Sequence, residues 1–254
     1  MHDYRLYIPP DRIEADVARL DGEEFHYCAH VLRRKEGAIT VFDGVAHEWE
    51  ASIRSVERHH AVLHLDRLLR EERPPEVRVL ACPAMLKGKA LDDVVESAAE
   101  LGAHAIVPVI AQRCDPNALK GDAPARLARW HRIAIAAAKQ GGRITLPTLS
   151  EPVGLTTLLA DKAESVRVIC THHAGAEPLL DVLDQAARGA SEIAVLVGPE
   201  ADFTPEEVNG AVHAGARTVQ LGPTTLRSGV AVTYALSVVS AWLAAHSGGG
   251  LAAH

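Results

Sequence analysis

The segment Ile193-Ala194-Val195-Leu196-Val197-Gly198-Pro199-Glu200-Ala201-Asp202-Phe203-Thr204-Pro205-Glu206-Glu207 decides the fold. Five consecutive apolar residues, three of them β-branched, read as a strand over Ile193–Val197 that is buried on both faces. Gly198-Pro199 stops that strand. Thr204 then stands as an N-cap, with Pro205 at the first helical position and Glu207 completing a capping box, so a helix opens over Pro205–Ala214. A buried strand that turns directly into a capped helix is the building unit of an α/β sheet.

The same grammar extends outward from residue 76. Apolar runs at Val77–Cys82, Ala105–Ile110, Val166–Thr171 and Thr218–Leu221 alternate with helical patterns at Ala90–Leu101, Ala125–Gln140, Leu179–Ala187 and Val230–Ala245. This predicts a parallel sheet with helices on both faces, in which ligands bind beyond the carboxyl ends of the strands. Leu221-Gly222-Pro223 ends one strand as Gly198-Pro199 ends another. Leu226-Arg227-Ser228 then opens the last helix, with Ser228 as its expected N-cap. Two Gly-Pro loops ahead of one arginine point to a site lined by main-chain groups, although turn chemistry alone accounts for each loop. The last helix carries no charge from Ser228 to Ala245. Its polar residues Thr233, Tyr234, Ser237 and Ser240 make one weak stripe, so a helix buried on most sides is expected rather than a membrane span.

The first 70 residues read differently. Ala38–Phe42 runs into the turn dipeptide Asp43-Gly44, Trp49, Ala51 and Ile53 alternate with polar neighbours, and Ala61–Leu65 makes a third strand. With a short helix near Gly22–Leu32 this predicts a small, mostly antiparallel barrel. The charged run Arg70–Arg73 and then Pro74-Pro75 read as a stiff connector, dividing the chain into domains at 1–72 and 76–247.

Composition narrows the function. A chain of 254 residues with 48% hydrophobic and 23% charged residues buries a full core and is not disordered. A net charge of −7 excludes binding to polyanions by bulk charge, and 4% aromatics argues against reading single strands by stacking on a sheet of rings. The four cysteines, Cys28, Cys82, Cys114 and Cys170, form no C-x-x-C pair. They suit a reducing cytosol, and the N-terminus has no apolar leader. Gly88-Lys89 lacks the other residues of a phosphate loop, no G-x-G-x-x-G follows a strand, and no G-x-S-x-G elbow occurs. His26 and His30 stand four apart without the acidic partner of a metalloprotease helix. Asp92, Asp93, Glu96 and Glu100 read as a solvated helix face capped by Gly102.

The segment from Arg113 to Arg143 holds seven basic residues against two acidic ones, net +5, which leaves the rest of the chain at −12. Such segregation suits either a solvated helix face or a phosphate-contacting surface with steep salt dependence; Arg33-Arg34-Lys35 extends the second.

Taken in order, His30-Val31-Leu32-Arg33, Val41-Phe42-Asp43-Gly44, Lys87-Gly88, Ala99-Glu100-Leu101-Gly102, Arg129-Trp130, Ala136–Gln140 with Arg143, Gly198-Pro199-Glu200 with Phe203-Thr204, and Leu221-Gly222-Pro223 with Leu226-Arg227 resemble the RsmE-type 16S ribosomal RNA (uracil-N3) methyltransferases of the SPOUT class. The resemblance covers nearly the whole chain. It implies a PUA-like N-terminal barrel, a C-terminal α/β domain tied in a trefoil knot, and a homodimer acting in the cytoplasm on 16S rRNA of the small ribosomal subunit. It implies S-adenosylmethionine held by Thr171, Leu196, Gly198, Pro199, Glu200, Leu221, Gly222 and Leu226, with no metal needed because the sulfonium carbon is already electrophilic. Arg227 matches the catalytic-site arginine, and His30, Arg33, Arg34, Arg113, Arg129 and Arg143 are the expected RNA contacts. The chain also departs from the pattern. Ala201 replaces a glycine, Gly229 and Val230 replace Glu and Thr after Leu-Arg-x, and Lys139 stands where Glu is frequent. A catalytically silent or retargeted relative that binds ribosomal RNA is therefore the alternative reading.

Overall fold

The computed structural model describes residues 4–160, 165–173 and 175–246. The chain forms two compact units. One runs from the N-terminal residues to Pro75 and includes Ile135–Leu146; the other holds Glu76–Ala134 and the chain from Pro147 onward.

The first unit is built on strands β1 (Arg5–Tyr7), β2 (Ile13–Glu14), β3 (Val17–Asp21), β4 (Ala38–Phe42), β5 (His47–Val56) and β6 (His60–Glu71). They form one sheet in the order β1-β4-β5-β6-β3-β2, antiparallel except for β1 beside β4. Helix α1 (Gly22–His26) continues into a π-helical turn at Tyr27–Val31. Leu6, Ile8, Leu20, Val41 and Leu63 form the centre of its core. Strand β6 is longer than the apolar run that announces it. It takes in Arg70 and Glu71, so the charged run begins inside the sheet rather than in a connector. Opposite charges on the paired strand explain the extension: Arg70 faces Glu48 and Arg67 faces Glu50, with Arg67 Nη2 3.0 Å from Glu50 Oε2.

Asp43-Gly44 is the turn expected between β4 and β5, and it is held by a carboxylate. Asp43 Oδ1 accepts from the N–H groups of Val45, Ala46 and His47 at 2.8, 2.8 and 3.0 Å, and Oδ2 lies 2.8 Å from His47 Nδ1. Burial alone raises the carboxyl pKa, but these hydrogen bonds outweigh it and hold Asp43 below the usual carboxylate range. A lowered folded-state pKa means that the stabilisation is complete above the unfolded-state pKa near 4 and is lost as pH falls through the folded value. Asp43→Asn is expected to cost about 1–3 kcal/mol at neutral pH and to flatten the acid limb of stability. Urea melts from pH 3 to pH 7 check this; a variant that tracks the wild type throughout contradicts it. Gly44 adds a steric requirement. Its φ is +77°, and a Cβ there would lie 2.7 Å from Tyr7 Cε2 and 2.9 Å from Leu146 Cδ1. Gly44→Ala is expected to destabilise the protein by about 1–3 kcal/mol, read from the same melts.

Residues Ile135–Leu146 belong to the first unit because of specific contacts. Ala138 and Ile144 pack on Phe42, and Arg5 reaches the end of the helix that carries them, donating to the carbonyls of Ala138, Lys139 and Arg143 at 2.8, 3.2 and 2.8 Å. Of these, Ala138 O also accepts from Arg143 N at 3.0 Å, and Arg143 lies two residues past the helix end at Gly141. Glu48 Oε1, 2.7 Å from Arg5, neutralises the guanidinium. Lys139 is paired as well: its ammonium lies 2.9 Å from Glu24 and 4.3 Å from the centre of the Tyr27 ring.

The second unit contains β7 (Arg78–Pro83), β8 (Ala105–Ile106), β9 (Val109–Ile110), β10 (Thr148–Leu149), β11 (Val153–Gly154), β12 (Ser165–Cys170), β13 (Glu177–Pro178), β14 (Glu192–Val197) and β15 (Arg217–Gln220). Its helices are α2 (Ala90–Glu100), α4 (Leu155–Ala160), α5 (Leu179–Ala186), α6 (Pro205–His213) and α7 (Ser228–His246); α3 (Ala123–Gly141) is divided between the units at Ala134. Seven strands form a parallel sheet in the order β10-β8-β7-β14-β12-β15-β13, and β9 pairs with β11 apart from it. The run Ala105–Ile110 breaks into two strands at Pro108, whose ring nitrogen cannot donate to a ladder. Every residue of β14 is buried, Glu192 included, which is compensated by Arg78 at 2.7 Å.

Helix α7 is long and apolar enough to cross a membrane, yet it packs against α2, α5, β7 and β14. It is not buried on most sides as its composition suggests. Ala231, Val232, Ala235, Leu236, Val239 and Trp242 face the core, whereas Val230 and Tyr234 are about half exposed on an uncharged outer face.

Candidate functional site

Strands β14, β12 and β15 are neighbours in the sheet, so the loops that leave their carboxyl ends converge. A cavity of about 630 Å³ opens there. Cys170, Thr171 and His172 line it after β12, Val197–Asp202 after β14, and Leu221 with Thr224–Gly229 after β15; Leu86, Ala90 and Ala231 complete the wall.

The loop after β14 is fixed from within. Asp202 N donates to Pro199 O at 2.9 Å, and Asp202 itself sits at φ +60°, a conformation that aspartate tolerates better than most side chains. The left-handed residue is therefore Asp202, not Ala201, and the alanine in place of glycine is accommodated without strain at its own position. Phe203 N donates to Asp202 Oδ1 at 2.7 Å while the Phe203 ring is fully buried. The capping box forms as read from the sequence: Glu207 N donates to Thr204 Oγ1 at 3.2 Å, and Thr204 N to Glu207 Oε2 at 2.8 Å. Gly198 is required here for proximity rather than for a positive φ, since a Cβ would lie 3.0 Å from Phe203 N.

Arg227 lines the cavity from the start of α7. Its carbonyl accepts from Ala231 N at 2.8 Å, so Arg227 occupies the N-cap, one position earlier than the expected cap, and Ser228 is the first helical residue. The exposed guanidinium stands beside a helix N-terminus, and both favour negative charge. Among the described residues no side chain pairs with it. Cys170 at the base of the cavity is inert by contrast: burial, reinforced by the charge of Asp202, pushes its thiol up to about 12.

Most sequence-predicted cofactor residues meet in this cavity: Thr171, Gly198, Pro199, Glu200, Leu221 and Leu226. Two do not. Leu196 is fully buried within the sheet, and the lining begins one residue later at Val197. Gly222 lies against a separate cavity of about 440 Å³ with Pro223 and Tyr234. His172, Asp202, Thr224 and Thr225 were missed; their signal was position, each standing in a loop just past a strand end.

The predicted RNA contacts are scattered in character. Arg33 is exposed at φ +53°, Arg34 lies over the Tyr4 ring at 5.7 Å, and the exposed His30 stands 5.0 Å, ring to ring, from His26. Arg129 is exposed but pairs with Asp92, so that helix face is not simply solvated. Arg143 is half-buried with Nη2 3.5 Å from Thr145 Oγ1, and burial draws its pKa down. Arg113 is exposed and donates to Ala201 O. Among the described residues no group of three or more His, Cys, Asp or Glu side chains is placed to hold a metal ion.

A parallel sheet with a cavity lined by the loops at three adjacent strand ends, carried by a chain that also holds a small sheet of the PUA type, defines a SPOUT-class methyltransferase of the trefoil-knot kind. Residues 72–240 match the RNA methyltransferase domain family and residues 20–66 the RNA methyltransferase PUA domain. The chain belongs to the RNA methyltransferase family and, within it, to the ribosomal RNA small subunit methyltransferase E group. The Mycobacterium bovis member is 31% identical over 230 residues, 88% of this chain and 86% of its own, and the Synechocystis member 28% over 243 residues, 94% and 78%. Among solved structures, a Legionella pneumophila methyltransferase with bound S-adenosylmethionine superposes with a TM-score of 0.81 at 28% identity, covering 95% of this chain and 98% of the other. The Neisseria gonorrhoeae ribosomal RNA small subunit methyltransferase E bound to S-adenosylmethionine gives 0.77 at 28%, covering 94% and 98%.

Proposed function

We propose that this protein methylates N3 of a uridine in 16S ribosomal RNA, acting in the cytoplasm as a homodimer. The observation that carries the reading is the placement of Arg227 at the N-cap of α7, lining a cavity formed where the loops after three adjacent strands converge.

The residues present fit S-adenosylmethionine. A volume of about 630 Å³ is within the range of cofactor pockets, and the lining combines apolar residues such as Leu86, Leu221 and Leu226 with polar ones from three strand-end loops. Glu200 and Asp202 place two carboxylates there, matching a cationic ligand, and the absence of a side chain at Gly198 lets the loop fold tightly. Thr171, Gly198–Glu200, Leu221 and Leu226 would hold the cofactor. When bound, it supplies a methyl group on a sulfonium, electrophilic without a metal.

The chain's own task concerns the base. Uracil N3 carries a proton at neutral pH, and its loss to solvent leaves charge on N3 and the two exocyclic carbonyl oxygens that flank it. The Arg227 guanidinium and the N-terminus of α7 stabilise that charge, an electrostatic role that needs no titration of the arginine. The target base must leave its stack to reach the cavity. His30, Arg33, Arg34, Arg113 and Arg129 supply positive or hydrogen-bonding groups for the RNA backbone. The uncharged outer face of α7, with Val230, Tyr234 and nearby Leu180 exposed, supports burial against a second copy. Four buried, unpaired cysteines support a reducing compartment.

The replacement of Glu and Thr by Gly229 and Val230 favours the alternative, a silent RNA binder. Incubation with labelled S-adenosylmethionine and small subunits that lack their native uridine methylation separates the two. Label in the 16S RNA is expected; subunit binding without label would establish the alternative.

A further inference from the structure

The basic residue Arg113 lies 88 positions before the loop that follows β14, yet its Nη1 donates to the carbonyl of Ala201 at 2.9 Å. We propose that Arg113 is a positioning residue for the cofactor loop, rather than only an RNA-phosphate contact. This rests on the reading of the cavity as the S-adenosylmethionine site.

The loop is held from outside at three points. Lys87 N donates to Glu200 Oε1 at 3.3 Å, Arg113 to Ala201 O, and Gln112 N to Glu207 Oε1 at 2.7 Å. The last of these closes on the same carboxylate that completes the capping box of α6. Lys87 is in turn fastened to the segment that carries Arg113, its ammonium 3.1 Å from Asp115 Oδ2. Two chain segments therefore brace the stretch from Glu200 to Glu207, and Arg113 is the only side-chain donor among the three braces.

The braced peptide is the one that needs support. Ala201 precedes Asp202, a non-glycine residue in the left-handed region, and the Ala201 carbonyl belongs to the peptide that leads into it. Holding that oxygen fixes the peptide plane between Ala201 and Asp202, and with it the directions of two cavity-lining residues. The guanidinium suits the task. A charged donor strengthens the bond to a neutral carbonyl, and its remaining N–H groups stay available to a phosphate. The isolated brace is exposed, so its expected effect is on cofactor affinity rather than on folding.

The test is calorimetric titration of S-adenosylmethionine into RNA-free wild type, Arg113→Ala and Arg113→Lys. Arg113→Ala is expected to weaken binding about fivefold to tenfold, the scale of one exposed hydrogen bond. KM for the cofactor, measured at saturating RNA, is expected to rise in step. Arg113→Lys, which keeps a charged donor, is expected to recover part of the loss, and unfolding midpoints should stay together. If Arg113→Ala binds S-adenosylmethionine as the wild type does, while the salt dependence of RNA binding falls by about one phosphate contact, the residue serves RNA alone and the proposal is overturned. If the wild type itself fails to bind S-adenosylmethionine, the reading of the cavity falls and this inference with it.

Discussion

Replacing Arg227 with alanine is expected to lower methyl transfer by about 10²–10³-fold in kcat, the scale of losing one preorganised donor to a developing oxyanion. Cofactor affinity is expected to stay within about twofold, because most residues assigned to the cofactor stand in the loops after β12 and β14 and at Leu221. Arg227 is the N-cap of α7, so its backbone is committed to the helix while its side chain is left to the cavity, with no partner among the described residues to draw it away. Truncation removes a charge without breaking a packed contact. Arg227→Lys keeps the charge but loses the planar fork, and intermediate activity is expected. Single-turnover transfer beside calorimetric cofactor binding checks both. Equal losses of binding and transfer would make Arg227 a cofactor residue; undiminished turnover would remove it from the chemistry.

Gly198→Ala is expected to fail at the earlier step. The new methyl would lie 3.0 Å from Phe203 N, 3.1 Å from Asp202 Oδ1 and 3.2 Å from Phe203 Cδ2. None of these can give easily. The Phe203 ring is fully buried, its N–H is bonded to the same Asp202 oxygen, and Asp202 N is committed to Pro199 O. The whole turn must shift, and that turn forms one wall of the cavity. S-adenosylmethionine affinity is expected to fall tenfold or more, with about 1–3 kcal/mol lost in stability. Gly229→Ala provides the contrast on the opposite wall. A Cβ there meets Val94 Cγ2 at 3.8 Å and Ala90 O at 3.9 Å, ordinary contacts within a helix. That variant is expected to bind as the wild type does and to gain about 0.5–1 kcal/mol. Similar behaviour of the two variants would contradict the packing argument.

The parts of the molecule that short-range chemistry specifies were legible in the sequence. The capping box of Thr204 and Glu207 forms atom for atom, Asp43-Gly44 makes its turn, and the apolar runs become adjacent parallel strands whose loop ends meet. What could not be read depends on distant partners. Strand β1 has three residues and no periodicity; it exists because it pairs with β4, and Arg5 then satisfies carbonyls more than 130 residues away. Nothing local announces that Ile135–Leu146 packs on Phe42. The differences between the expected residues and the cavity lining are differences of register: the lining starts at Val197 rather than Leu196, and Gly222 turns to a different cavity from Leu221 and Leu226. One residue along a strand or loop reverses the face, and only the completed ladder decides it.

The central claim is that the nucleophile is a pyrimidine N3, and the position of the new methyl tests it most directly. Small subunits lacking their native uridine methylation should be incubated with the protein and labelled S-adenosylmethionine, and the RNA then read by reverse transcription and nucleoside mass spectrometry. A methyl on N3 removes the Watson–Crick donor of uridine and blocks copying, whereas a ribose 2′-O-methyl leaves the pairing edge intact. One labelled N3-methyluridine coincident with one strong stop is the result predicted here. Label on a ribose oxygen, or none on subunits that a family member does methylate and that this protein binds, would contradict it.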